Sequence, residues 1–164
     1  MNIVFFVAHP DDEAYGPAAT IAKVAKEANV HVVSLCKGHR PGQDTSAARI
    51  QTFEANCKAL GATCKVHDEL DTLLEFGAAS KIIEKTIAEL KPTVVYTHNI
   101  SDMHRDHRVV SEAVLLACRP KPGSPVSMLL TWEQPGSTEW TFGQLQPQFT
   151  PNVFVDATDY IDLK

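Results

Sequence analysis

Short apolar runs rich in β-branched residues alternate along this chain with longer segments whose apolar positions recur on a helical period. Residues 2–8 (NIVFFVA) are apolar from Ile3 onward, the pattern of a strand buried on both faces. Pro17 suits a first helical turn, and Ile21, Ala22, Val24, Ala25 and Ala28 supply that helix with an apolar face. A second strand is predicted over 31–35, followed by the polar loop CKGHRPGQDTS. The next helix runs over 47–60, with Asp44, Thr45 or Ser46 as N-cap and Gly61 just past its end. A short strand follows over 62–66, then a strongly periodic helix over 78–90, stopped by Pro92. A β-branched strand is predicted over 93–97, a helix over 104–118, a strand over 127–132 and a late strand over 153–155.

Such alternation implies parallel strands, because parallel neighbours need long right-handed crossovers. The predicted fold class is α/β: a Rossmann-like, three-layer αβα arrangement with a mostly parallel sheet in strand order 3-2-1-4-5. Residues 1–164 read as a single domain, and no internal repeat or linker interrupts them. In that order the first and fourth strands are neighbours where the winding reverses, and ligands bind beyond the carboxyl ends of strands at such a point.

Two polar clusters fall at those two strand ends. HPDDE (His9 to Glu13) follows the first strand, and THNISDMHRDHR (Thr97 to Arg108) follows the fourth. Together they hold His9, Asp11, Asp12, Glu13, His98, Asp102, His104, Asp106 and His107. Either cluster alone also reads as a polar loop or a helix start. Their meeting at one crevice favours a site. Crowded carboxylates raise one another's pKa unless a cation joins them, and a divalent metal does so economically. Two imidazoles and one carboxylate with an open position make a catalytic zinc site, and a similar set suits Fe²⁺. His104 and His107 are three apart, so on a helical turn one can bind metal while the other faces substrate. No GxGxxG follows the first strand, which removes the usual support for dinucleotide binding.

These motifs resemble those of the LmbE/PIG-L family of zinc-dependent N-deacetylases, which remove acetyl groups from N-acetylglucosamine-type sugars and related amides. AHPDDE matches the first family signature and HRDH the second. RIQTFEANCKALGA, GSTEW and FTPNVFVDATDYI are also similar to family segments. The resemblance implies that His9, Asp12 and His107 hold Zn²⁺, with Fe²⁺ as the alternative. It implies Asp11 as general base and His104 as the imidazole facing the scissile group, oriented and kept cationic by Asp106. Arg49 would lie on the substrate side, and Glu13 would support the ligands from behind. His98, from its place at the end of the fourth strand, either lines the crevice on the substrate side or hydrogen-bonds the neighbouring loop. The family helix usually carries Glu three residues after its Arg, where this chain has Thr52. Family members usually continue beyond the segment that ends here at Lys164. The chain then reads as a compact member, a fragment, or one that relies on a neighbouring subunit of a homo-oligomer to close the pocket.

Composition narrows the partners. The 164 residues are 44% hydrophobic and 21% charged, with a formal net charge of −5 and no basic stripe. That argues against nucleic acid. No apolar run approaches the roughly 20 residues of a membrane span. Four scattered cysteines without a CxxC spacing fit reduced thiols, and a cytoplasmic location is expected. The expected partner is a small acetamido sugar or conjugate. Two other readings stay open: an amidase acting on a non-sugar N-acyl compound, and a shortened relative that binds metal or ligand without turnover.

Overall fold

A computed structural model describes residues 1–39, 46–144 and 148–164. Five parallel strands form one sheet in the order β3-β2-β1-β4-β5, the order expected from the alternating pattern. β1 (Asn2–Val7) lies at the centre with every residue from Val4 to Ala8 fully buried. This is why its sequence is uninterruptedly apolar: helices cover both of its faces. β2 (Asn29–Cys36) and β4 (Val94–His98) flank it, in the registers Phe5 opposite Val32 and Phe5 opposite Tyr96. β3 (Thr63–Glu69) and β5 (Met128–Trp132) form the edges.

Two cores sandwich the sheet. On one side α4 (Phe76–Leu90) and α5 (Arg105–Ala117) pack Ala79, Ile83, Val110 and Val114 against Val4, Phe6 and Leu35. On the other, α2 (Ala18–Val24) and α3 (Ser46–Ala59) pack Ile21, Phe53 and Cys57 against Phe5, Val7 and Val32. Phe5 stacks on Tyr96 with ring centroids 4.3 Å apart, joining the two strands whose ends carry the polar clusters.

Some elements depart from expectation. A four-residue helix, α1 (Asp12–Tyr15), begins inside HPDDE itself. Ser46 is the first residue of α3 rather than a cap, and the cap candidates Asp44 and Thr45 lie outside the described residues. Residues 153–155 do not form the expected late strand; they are exposed and irregular. Val153 and Val155 border the same cleft as Tyr96 and Leu130, without strand pairing. All four cysteines are free. Among the described residues, no helix is long and apolar enough to cross a membrane.

Candidate active site

The two clusters meet. Ala8, one residue past β1, donates its backbone N–H to Nε2 of His98, the last residue of β4, at 3.1 Å. The His9–Pro10–Asp11 turn places Asp12 at the start of α1 with its carboxylate turned back, so that Oδ2 accepts the His9 backbone N–H at 2.8 Å. His104 is the N-cap of α5, its Nδ1 accepting from the Asp106 backbone N–H at 3.2 Å. One turn of that helix puts His107 beside it, with ring centroids 4.7 Å apart.

Asp12 is the hub. His9 Nδ1 lies 3.6 Å and His98 Nε2 3.2 Å from its Oδ2, while His107 Nε2 lies 3.3 Å from its Oδ1. The outer nitrogens of two of these rings each face a further carboxylate. His9 Nε2 is 3.0 Å from Asp106 Oδ2, and His107 Nδ1 is 3.2 Å from Asp102 Oδ1. Both aspartates are completely buried. A metal-binding histidine almost always directs its other ring nitrogen at a carboxylate, carbonyl or water. The pattern therefore leaves His9 Nδ1 and His107 Nε2 as the nitrogens that face Asp12. Three overlapping sets, His9–His104–His107, Asp12–His98–His107 and His9–Cys36–Asp71, bring their donor atoms within 4.8 Å of one another; His9, Asp12 and His107 do not form such a set by themselves.

The electrostatics agree. Burial would raise Asp12, but the His107 and His98 imidazoles hold it well below the usual carboxylate range. Burial opposes protonation of His9 and His107, yet Asp106 and Asp12 raise His9 to about 10, and Asp12 and Asp102 raise His107 to about 9. Asp102 is pulled down to about 2 against its burial, by His107 above all, and Asp106 is lowered against its burial by His9. Three buried carboxylates thus demand positive charge. A divalent cation on the two inner nitrogens would carry the same charge as the two protons it displaced. The residues present fit a divalent metal.

A cavity of about 260 Å³ opens beside this hub, lined by His9, Asp11, Asp12, Tyr15, Arg49, Asp71, Thr72, His104, His107 and residues 134–137. Asp11 reaches it from the turn. Burial and the charge of Asp12 raise its pKa, against the pull of Arg49. Arg49, in the first turn of α3, bridges Asp11 Oδ2 at 2.7 Å and Asp71 Oδ2 at 3.0 Å. Gly38 fits beneath it: a Cβ there would lie 3.0 Å from Arg49 Cδ.

Other site residues sit where the chain alone did not put them. The carboxylate of Asp106 serves His9 and the Thr72 N–H, and only its backbone reaches His104. The Asp106 carboxylate therefore does not orient the His104 ring; burial and the nearby His9 and His107 lower His104 against the pull of Asp106, and with Nδ1 as acceptor, Nε2 is the nitrogen that can carry a proton. His98 is fully buried beneath the hub, stacked on His107 at 3.9 Å, and does not line the cavity. Burial above all lowers it to about 4. Glu13 is buried behind α1, accepting from Asn56 Nδ2 at 3.1 Å and raised to about 7 by burial. Asp71 received no role from the chain pattern. Its signal was the acidic stretch DELD that spans the carboxyl end of β3, the same end of the sheet as the other clusters.

The family description "PIG-L: GlcNAc-PI de-N-acetylase" matches residues 4–118, most of the chain and both polar clusters. The chain belongs to the PIG-L family. Among its PIG-L-like relatives is the uncharacterized deacetylase YaiS of Escherichia coli K12. It is 27% identical over 163 residues, covering 93% of this chain and 80% of that protein. Two solved structures share the fold. The 4-carboxy-2-hydroxymuconate hydratase GalB of Pseudomonas putida KT2440 has a TM-score of 0.77 at 19% identity, covering 99% of this chain and 75% of that one. The N,N'-diacetylchitobiose deacetylase of Pyrococcus horikoshii has a TM-score of 0.71 at 19% identity, covering 99% and 66%.

Proposed function

We propose that this PIG-L member is a metal-dependent N-deacetylase that hydrolyses the acetamide of an N-acetylglucosamine-type sugar or sugar conjugate. One observation carries the reading. Two imidazoles, each backed by a buried carboxylate, present their free nitrogens to a third carboxylate at the wall of a small cavity. His9, Asp12 and His107 would hold the cation, Zn²⁺ or, with the same donors, Fe²⁺. When bound, such an ion polarises an acyl oxygen and lowers the pKa of water from about 15.7 to about 7.

The chain's own groups supply the rest. Asp11 is a carboxylate at the cavity wall with a raised pKa, which suits a general base that later returns the proton to the departing amine. His104 lines the cavity, and its Nε2–H can donate to the oxygen on which charge develops. Arg49 and Asp71 offer a donor and an acceptor side by side, a match for neighbouring sugar hydroxyls. The cavity is close to the roughly 300 Å³ lower end of ligand pockets, a size for one ring and its acyl group. The P. horikoshii deacetylase supports the substrate class, whereas GalB places a hydratase on the same fold.

The test is acetate release from zinc-loaded protein given a panel of N-acetyl sugars and N-acyl amino acids. Acetate should come from the acetamido sugars. Asp11→Asn should retain zinc and lose about 10²–10⁴-fold in rate. Hydration of an unsaturated carboxylic acid with no acetate released from any amide would replace the deacetylase reading. Release from N-acyl amino acids alone would replace the sugar, and a wild-type rate in Asp11→Asn would remove the base.

A further inference from the structure

We infer that the loop formed by residues 134–138 does more than wall the cavity: through Asp102 and Asp12, its Ser137 and Thr138 hydroxyls and its Gln134 amide position the metal donors and set their affinity. The inference rests on the cation site proposed above and assigns a task to residues outside the donor set.

The geometry is specific. Ser137 Oγ and Thr138 Oγ1 both donate to Asp102 Oδ2, at 2.7 and 2.9 Å. Thr138 Oγ1 in turn accepts the Gln134 backbone N–H at 2.8 Å, so its own proton is committed to Asp102. The other oxygen, Oδ1, accepts the His104 backbone N–H at 2.8 Å and faces His107 Nδ1 at 3.2 Å. Loop and helix entry are also stitched by the Met103 N–H, which donates to Ser137 O at 3.3 Å. From the same loop Gln134 reaches Asp12 Oδ1 with Nε2 at 3.4 Å, while its Oε1 accepts the Trp132 indole N–H at 2.8 Å. Asp102, Thr138 and Gln134 are all buried.

The consequence follows from how a carboxylate pivots. With Oδ2 occupied by two hydroxyls from one side, Asp102 cannot rotate, and Oδ1 stays in front of His107 Nδ1. That keeps an anionic oxygen 3.2 Å from Nδ1 and leaves Nε2, 3.3 Å from Asp12, as the nitrogen turned toward the cation. Remove the hydroxyls and Oδ2 becomes a buried anionic oxygen without donors. Asp102 would then turn toward other partners, and His107 would lose its stop. A purely structural role for the hydroxyls predicts something else: lost thermal stability with unchanged metal affinity in the folded protein.

The experiment is zinc binding by chelator competition, with Zn²⁺ alone as the probe, on wild type, the double variant Ser137→Ala/Thr138→Val, and Thr138→Ser. The double variant should bind zinc about 10–100-fold more weakly at a temperature where it is fully folded, the size typical of lost outer hydrogen bonds at metal sites. Thr138→Ser, which restores the hydroxyl, should bind within about threefold of wild type on the same scale. Should the double variant fail to fold, Asp102→Asn carries the test, since it keeps the size and loses the anionic acceptor, and the same weakening is expected. Wild-type affinity in the folded double variant, or in Asp102→Asn where the double variant does not fold, overturns the inference. Absence of zinc binding by wild type overturns the cation site itself, which separates the two failures.

Discussion

Gly16→Ala should destabilise this protein, although glycine-to-alanine changes in ordinary backbone usually do the opposite. Gly16 closes α1, donating its N–H to Asp12 O at 2.9 Å. Reduced unfolded-state entropy favours alanine by about 0.4–1 kcal/mol only where the backbone suits it. Packing reverses the sign. A Cβ built on Gly16 would lie 2.5 Å from Gln134 Oε1, 2.5 Å from Trp132 Nε1 and 2.8 Å from Trp132 Cδ1. Both side chains are buried and bonded to each other at 2.8 Å. Overpacking at such a site costs about 1–3 kcal/mol, and separating the Trp–Gln pair adds about 1 kcal/mol. The net loss is about 1–3 kcal/mol. For a chain of this length each kcal/mol lowers Tm by about 2–4 °C, so the melting temperature should fall by about 3–10 °C. Thermal unfolding by circular dichroism on metal-free protein measures it. A Tm equal to or above that of wild type would show that Trp132 and Gln134 move aside freely, refuting the argument.

Gly38→Ala should also destabilise, for a different reason: φ of +76° strains any side chain there, and its Cβ would press on Arg49 at 3.0 Å. The loss of about 1–2 kcal/mol should lower the urea midpoint by about 0.5–1 M, read from an equilibrium unfolding curve. Zinc affinity should rise with pH. In the metal-free protein His9 and His107 titrate near 10 and 9, both above neutrality, so the cation must displace their protons. Below those values the apparent Kd should tighten by about 100-fold per pH unit between pH 6 and 8, two protons being released. Calorimetry in buffers of differing ionisation enthalpy counts those protons. A pH-independent Kd would mean that the two rings are already neutral.

Much of the site was legible before folding. An apolar run that ends in HPDDE, and a β-branched run that ends in a histidine- and aspartate-rich stretch, mark strand termini. Strand–helix alternation makes those two termini neighbours. Strand order and the approach of His9, Asp12 and His107 follow from periodicity and chain connectivity, which act over short stretches and are written directly in residue spacing. The assignment of partners had to await packing. Asp106 lies two residues from His104, yet its carboxylate takes His9 across 97 positions, because a helix start sends backbone and side chain in different directions. His98 ends β4 but points beneath the hub. Asp102 is fixed by hydroxyls that return to it only after β5 has joined the sheet edge, 35 and 36 positions later. Residues 153–155 have the composition of a strand, but a strand needs a partner to pair with, and these residues are exposed and unpaired as strand. Local pattern sets which groups reach the crevice; the choice of oxygen for each nitrogen depends on rotamers and loop returns, which no interval along the chain encodes.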